Sequence, residues 1–151
     1  MGGLDELLST LREAGCVCLD TVVFIYAFER HARFGPAARS VFRAISQGEF
    51  EACASALVVG EVLTGVMKAR NTELQLRYRD VFQRYPGLIV VDADLVVMEQ
   101  MAALRAAHNL RTPDAIHLAT ALVHQAPVFL TNDLQLSRVA TPEVLSIQSF
   151  V

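Results

Sequence analysis

Residues 16–26 read Cys-Val-Cys-Leu-Asp-Thr-Val-Val-Phe-Ile-Tyr, in which one carboxylate separates two apolar runs. The first run, residues 16–19, has the length and composition of a short buried strand. The second run extends from Thr21 to Arg30, and because it directly follows a strand we interpret it as a helix. An ionised carboxylate between buried segments costs free energy unless another group compensates its charge. Asp20 is therefore the first candidate functional residue.

The rest of the chain repeats this order of strand and helix. Strands are predicted at residues 16–19, 51–54, 88–91, 128–130 and 144–151. Helices are predicted at residues 4–13, 21–30, 35–48, 55–67, 72–85 and 92–109 and from residue 112 onward, with Asp92 as the N-cap of the sixth. This alternation predicts an α/β fold in which a central, mostly parallel sheet carries helices on both faces.

Length and composition indicate one soluble domain. A chain of 151 residues with 53% hydrophobic residues can bury a substantial core. Its longest apolar run, residues 22–28, is far shorter than the roughly 18 residues of a membrane span, and its first residues show no secretory pattern. We expect a cytoplasmic protein with a single domain over residues 1–151, of which residues 1–15 form a helical N-terminal extension.

Charge and cysteine content exclude other classes. The formal net charge of −3 argues against nucleic-acid binding through overall positive charge, although local binding stays open. Cys16, Cys18 and Cys53 are odd in number and lie in apolar surroundings, which favours reduced thiols in a core over a disulfide framework. A zinc site is a poor match, because the sequence has no spaced histidine pair to accompany them.

Three further acids have local contexts comparable to that of Asp20. Glu61 lies in L-V-V-G-E-V-L about two turns into its predicted helix, Asp114 is at the second position of a helix in T-P-D-A-I-H-L-A-T-A-L, and Asp133 follows a strand in V-F-L-T-N-D-L. The carboxyl ends of parallel strands meet at one edge, where all four acids can project. Their mutual repulsion would require a cation, and hard oxygen ligands suit Mg²⁺ or Mn²⁺.

Each acid also has a purely structural interpretation. Asp20 and Asp133 can serve as helix caps, and Asp114 can complement a helix dipole. Glu61 is the hardest to explain in this way, because its helix is strongly apolar and a carboxylate there needs a partner or an exposed groove. His117, three residues after Asp114, is more typical of a packed, hydrogen-bonded histidine than of a catalytic one.

The order and spacing of these motifs resemble those of PIN-domain ribonucleases of the VapC/FitB type, the toxins of bacterial toxin–antitoxin pairs. The matching motifs are L-D-T-x-x-x-I-Y at 19–26, x-x-x-E-V-L at 58–63, T-P-D-A-I-H-L-A-T-A-L at 112–122 and L-T-N-D at 130–133. The resemblance implies a three-layer PIN fold and a metal-dependent endoribonuclease that hydrolyses RNA phosphodiester bonds to leave 5′-phosphate ends. It also implies a cognate antitoxin protein and a homodimer.

The resemblance assigns roles residue by residue. It implies that Mg²⁺ or Mn²⁺ is bound by the four catalytic acids Asp20, Glu61, Asp114 and Asp133. It further implies that three neighbouring polar residues orient these ligands or the substrate: Thr21, Thr131 and Asn132. Two departures from the family are Val22, where Asn or Ser is common, and the roughly 15 residues that precede the first strand.

Two other functions compete with this one. One is a PIN-fold interaction module that a partner protein holds inactive. The other is a phosphatase or phosphate-transfer domain with Asp20 as nucleophile, which is disfavoured because Asp20 is followed by Thr-Val rather than by a D-x-D pattern, and because Lys68 is the only lysine.

Overall fold

A computed structural model describes residues 3–151. Its strands are β1 (Cys16–Leu19), β2 (Glu51–Ser55), β3 (Leu88–Val91), β4 (Val128–Thr131) and β5 (Glu143–Ser146). Its helices are α1 (Gly3–Ala14), α2 (Thr21–Phe28), α3 (Gly35–Ser46), α4 (Ala56–Lys68), α5 (Thr72–Arg84), α6 (Leu95–Ala107) and α7 (Thr112–Val123). Two 3₁₀ turns, Leu134–Arg138 and Ile147–Phe150, complete the order.

The five strands form one sheet in the order β3-β2-β1-β4-β5, and every neighbouring pair is parallel. Successive residues of a strand face opposite sides of the sheet. In β1, Val17 and Leu19 belong to a core shared with α1–α5, whereas Cys18 belongs to a second core shared with α6 and α7. The three-layer α/β architecture predicted from the sequence is confirmed.

The helix predicted ahead of the first strand is present as α1. Its Leu7 and Leu11 are fully buried in the first core. They lie four residues apart, so one face of the helix packs against the core. Gly15 then adopts a φ of +78°, a left-handed conformation that favours glycine, and the chain enters β1 directly. That residues 1–151 form a single domain stays a prediction.

The N-cap predicted for α6 was wrong by two residues. The helix begins at Leu95, and the Asp94 side chain accepts a hydrogen bond of 3.0 Å from the Val97 backbone N–H. Asp94 is extended, as an N-cap residue is, and residues 92–94 carry the chain out of the sheet after β3 ends. The helix also stops earlier than predicted, because His108 has extended backbone angles.

The final strand is shorter than predicted. β5 ends at Ser146, and residues 147–150 form a 3₁₀ turn. At this point Oδ1 of Asn132 accepts hydrogen bonds from the Ser146 hydroxyl (3.1 Å) and from the Gln148 backbone N–H (3.0 Å). These two contacts favour a turn over a continued strand. Among residues 3–151, no helix combines the length and hydrophobicity needed to cross a bilayer.

Candidate functional site

A cleft of about 370 Å³ opens at the carboxyl ends of β1 and β4. All four acids singled out from the sequence line it: Asp20, Glu61, Asp114 and Asp133. The central strands β1 and β4 are adjacent, so the residues that follow them meet at one edge, while α4 and α7 bring the other two acids to the same place. The structure therefore brings the four carboxylates to one cleft.

Asp20 is both a helix cap and the most buried of the acids whose pKa is shifted. Its Oδ1 accepts a 2.7 Å hydrogen bond from the Thr21 backbone N–H at the start of α2, and its Oδ2 accepts a 2.7 Å bond from the Thr131 hydroxyl. Its side chain is only 15% exposed. Burial raises the pKa of Asp20, although His117 and the Thr131 hydroxyl oppose that rise. A nearby cation would offset this penalty on the charged form.

Glu61, a carboxylate in an apolar helix, has both hydrogen-bond partners and access to the cleft. Its Oε1 accepts a 2.7 Å hydrogen bond from the Thr21 hydroxyl and lies 2.8 Å from Nε2 of His117. Its side chain is 37% exposed to the cleft. The hydrogen bond with His117 lowers the pKa of Glu61, with burial acting in the opposite direction. Glu61 is therefore held ionised at the side of the cleft.

His117 is a site residue that sequence reasoning did not assign. It is 3% exposed, and its Nε2 contacts Glu61 and lies 3.8 Å from Oδ1 of Asp20. Within residues 3–151, no group hydrogen-bonds to its buried Nδ1. The imidazole is packed, as expected from an apolar helix, and it also contacts Glu61 of α4 and lies near Asp20. The available signal was its spacing of three residues from Asp114, which places both on one face of α7.

Asp114 is paired with an arginine of its own segment. It is the third residue of α7, one position later than predicted, because Arg111 is extended and acts as the N-cap residue. The guanidinium donates to both carboxylate oxygens, from Nε at 3.0 Å and from a terminal nitrogen at 3.4 Å. The Arg111 side chain is 77% exposed, so solvent screens this pair and the arginine can exchange partners readily. Sequence reasoning did not assign Arg111.

Asp133 follows β4 and caps the next turn. Its Oδ1 accepts a 3.0 Å hydrogen bond from the Gln135 backbone N–H, and its own N–H donates to the Thr131 hydroxyl at 3.1 Å. The Thr131 hydroxyl, which is fully buried, thus donates to Asp20 and accepts from Asp133. One hydroxyl group therefore fixes the spacing between the acids that follow β1 and β4.

Thr21 and Asn132, the other two polar residues predicted beside the cluster, also line the cleft. The Thr21 hydroxyl holds Glu61, as described above. The Asn132 amide donates to the Tyr26 hydroxyl at 3.0 Å, while its oxygen accepts the two hydrogen bonds that end β5. Asn132 thus fixes the loop that carries Asp133.

The donor set of the cleft fits Mg²⁺ or Mn²⁺, since four carboxylates supply hard oxygen ligands. Within residues 3–151, no three of these acids have ligand oxygens that all lie within 4.8 Å of one another. Mg²⁺ retains several waters and is held directly by one or two carboxylates, so it does not need three acids this close together.

Comparison with known proteins gives the family. The PIN domain family model matches residues 17–142. No curated protein is significantly similar to the chain. Among solved structures, the chain is 22% identical to one in a toxin–antitoxin complex from Klebsiella pneumoniae, with a TM-score of 0.68 over 87% of this chain and 97% of that one.

Two further structures share the fold. A chain of VapBC2 from Rickettsia felis, bound to a DNA fragment from its promoter, is 18% identical with a TM-score of 0.71. A chain of FitAcB from Neisseria gonorrhoeae is 18% identical with a TM-score of 0.68. Both alignments cover 87% of this chain and 98% of the other. With its family match, its parallel sheet and its acidic cleft, the chain belongs to the PIN domain family.

Proposed function

We propose that this protein is a metal-dependent endoribonuclease and the toxin of a toxin–antitoxin pair. The observation that carries the proposal is the convergence of four carboxylates in one open cleft of a PIN domain. PIN domains are generally nucleases, and the toxin–antitoxin complexes that share the fold support the toxin assignment.

The cleft residues have two roles: the acids bind the metal ion, and neighbouring polar residues orient the acids. A bound Mg²⁺ or Mn²⁺ would supply charge stabilisation at the scissile phosphate and would lower the pKa of a bound water. Asp20, Glu61, Asp114 and Asp133 are the residues that would hold the ion. Thr131 fixes the Asp20 oxygen that it contacts, and preorganisation of this kind avoids reorientation during the reaction. Phosphodiester hydrolysis of this type needs no protein nucleophile.

His117 and Arg111 extend this arrangement. The His117 ring is only 3% exposed and contacts the Glu61 carboxylate at 2.8 Å, so it is poorly accessible to RNA and well placed to orient Glu61. Arg111 lies at the exposed mouth, and its planar guanidinium suits an RNA phosphate as well as it suits a carboxylate. We assign His117 to positioning and Arg111 to substrate binding.

The partners follow from the same proposal. A cognate antitoxin protein occupies the cleft and suppresses cleavage, and the toxin is a homodimer. Several large apolar side chains are half exposed or more and offer surface for these contacts: Met67, Leu76, Ile89, Leu95, Val96 and Leu134. The competing function is an inactive interaction module, which would not require an accessible set of four acids.

The test is cleavage of total RNA by the purified chain in Mg²⁺ or Mn²⁺, compared with cleavage in a chelator. Asp20→Asn and Asp114→Asn are expected to lose activity, whereas Asp80→Asn, on the exposed face of α5, is expected to retain it. Fragments are expected to carry 5′-phosphate ends. Equal cleavage in chelator, or undiminished cleavage by the two cleft variants, would contradict the proposal and favour the interaction module.

A further inference from the structure

A second group of metal-ligating side chains lies outside the acidic cleft. Cys16, Cys53 and His124 each offer one ligand atom, and these three atoms all lie within 4.8 Å of one another. We infer that these three residues form a binding site for a thiophilic divalent cation, with Zn²⁺ as the reference ion. This inference is independent of the proposed nuclease activity.

The fold assembles this site from three elements. In the parallel pair of β1 and β2, Cys16 is opposite Glu51 and Cys18 is opposite Cys53. Residues two apart on a strand share a face, so both ligand cysteines point to the side of the sheet that α6 and α7 cover. His124 is the C-cap residue that directly follows α7, and its ring nitrogen lies within 4.8 Å of both cysteine sulfurs. These ligands are far apart in sequence, which is why cysteine spacing did not predict the site.

The spacing of the donors suits a small tetrahedral ion. Zn–S distances of about 2.3 Å and Zn–N distances of about 2.0 Å place tetrahedral donors roughly 3.5–3.8 Å apart. Cys53 is fully buried, whereas Cys16 and His124 are half-buried, so binding requires these two side chains to rotate and bring their donors closer together. The half-exposed side leaves the fourth position to water. A site with three protein ligands and one solvent position is a known arrangement for zinc.

The ligand chemistry separates this site from the acidic cleft. Thiolate and imidazole ligands favour Zn²⁺ and its relatives, whereas carboxylates favour Mg²⁺ and Mn²⁺. Cysteine binds such a cation as the thiolate and histidine as the neutral imidazole, so binding at this site releases the thiol protons.

Occupancy of this site would join elements that also carry the acidic cleft. β1 begins at Cys16 and is followed directly by Asp20, and α7 carries Asp114 in its first turn and is followed directly by His124. A cation that binds only the folded chain stabilises it in proportion to the logarithm of its concentration over Kd. At a hundredfold excess over Kd, the midpoint of thermal unfolding is expected to rise by roughly 5–10 °C.

The test is titration of the reduced, metal-free protein with Co²⁺, which reports its ligands by spectroscopy. We expect a thiolate-to-cobalt charge-transfer band together with the intense visible bands of tetrahedral Co²⁺, at one ion per chain. Zn²⁺ is expected to abolish both, and Mg²⁺ to abolish neither. Absence of the charge-transfer band, or its displacement by Mg²⁺, would overturn the inference.

Variants identify the ligands. His124→Gln and Cys16→Ser, both at half-buried positions, are expected to weaken Co²⁺ binding at least tenfold and to lose the Zn²⁺-dependent thermal shift. His108→Gln is the matched control, because His108 is also half-buried and is the C-cap residue of α6, as His124 is of α7. Unchanged bands in either ligand variant, or their loss in the control, would contradict the assignment. Asp20→Asn is expected to keep the bands, which separates this site from the cleft.

Discussion

The buried hydroxyl of Thr131 offers a quantitative test of how the cleft is built. In Thr131→Val the side chain keeps its shape and loses two hydrogen bonds, one donated to the Asp20 carboxylate and one accepted from the Asp133 N–H. A hydrogen bond to a charged group contributes about 1.5–3 kcal/mol and a neutral one about 0.5–1.5 kcal/mol. The free energy of unfolding is therefore expected to fall by about 2–4.5 kcal/mol.

The matched control is Thr120→Val. Thr120 is also fully buried, but its hydroxyl donates at 2.8 Å to the Ile116 carbonyl of its own helix, an oxygen that the helical backbone already satisfies. Its loss is expected to cost about 1 kcal/mol or less.

The assay is urea unfolding at neutral pH in the presence of a chelator, so that bound cations do not mask the difference. With a slope of about 2 kcal/mol per molar urea, the midpoint of Thr131→Val is expected to fall by about 1–2 M. RNA cleavage is expected to fall as well, because Asp20 loses the hydrogen bond that fixes its Oδ2. Equal midpoints for the two variants would refute the reasoning that Thr131 holds the two acids together.

The remaining predictions concern charges and a cap. Arg111→Gln is expected to raise the KM for RNA in steady-state assays and to make this KM less dependent on salt concentration, with little change in the free energy of unfolding. An unchanged KM would refute a role of Arg111 in substrate binding. Asp94→Ala is expected to lower the free energy of unfolding by about 1 kcal/mol and Asp92→Ala by much less, and the reverse order in urea would contradict the cap assignment. The folded protein lowers the pKa of Glu61 below its ordinary value of 4.5. The ionised Glu61 therefore stabilises the fold fully above pH 4.5, and this stabilisation is lost as the pH falls through the pKa of the folded state. In chelator, the difference in unfolding free energy between the native chain and Glu61→Gln is therefore expected to shrink on acidification, and a difference that grows would contradict it.

Local sequence patterns predicted most of the helices and strands, because these elements are short and are bounded by recognisable cap and turn residues. The strand at residues 16–19 and the carboxylate after it identify the first βα unit, and the same pattern recurs at Asp133. Glu61 was identified because a carboxylate in an apolar helix has no structural role of its own. Where several acids lie near a helix start, spacing alone does not choose the cap, and the conformation of Asp94 decided it.

The parts of the site that sequence did not reveal depend on contacts between distant segments. His117 and Glu61 are 56 positions apart, and nothing in either local pattern shows that their side chains meet. Arg111 precedes Asp114 by three residues, yet surface arginines are too common for that spacing to be a signal. His124 reaches two cysteines only because α7 packs across β1 and β2. Local rules identify candidate ligands, and tertiary contacts determine which of them meet.

The most direct test of the central claim is a Mn²⁺ titration followed by electron paramagnetic resonance, since free and protein-bound Mn²⁺ give distinct signals. The native chain and Asp80→Asn are expected to bind Mn²⁺ in the cleft, and the double variant Asp20→Asn/Asp133→Asn is expected to lose that binding while it stays folded by circular dichroism. Mn²⁺ binding by the double variant with the native stoichiometry and affinity would show that the four carboxylates do not form a shared cation site.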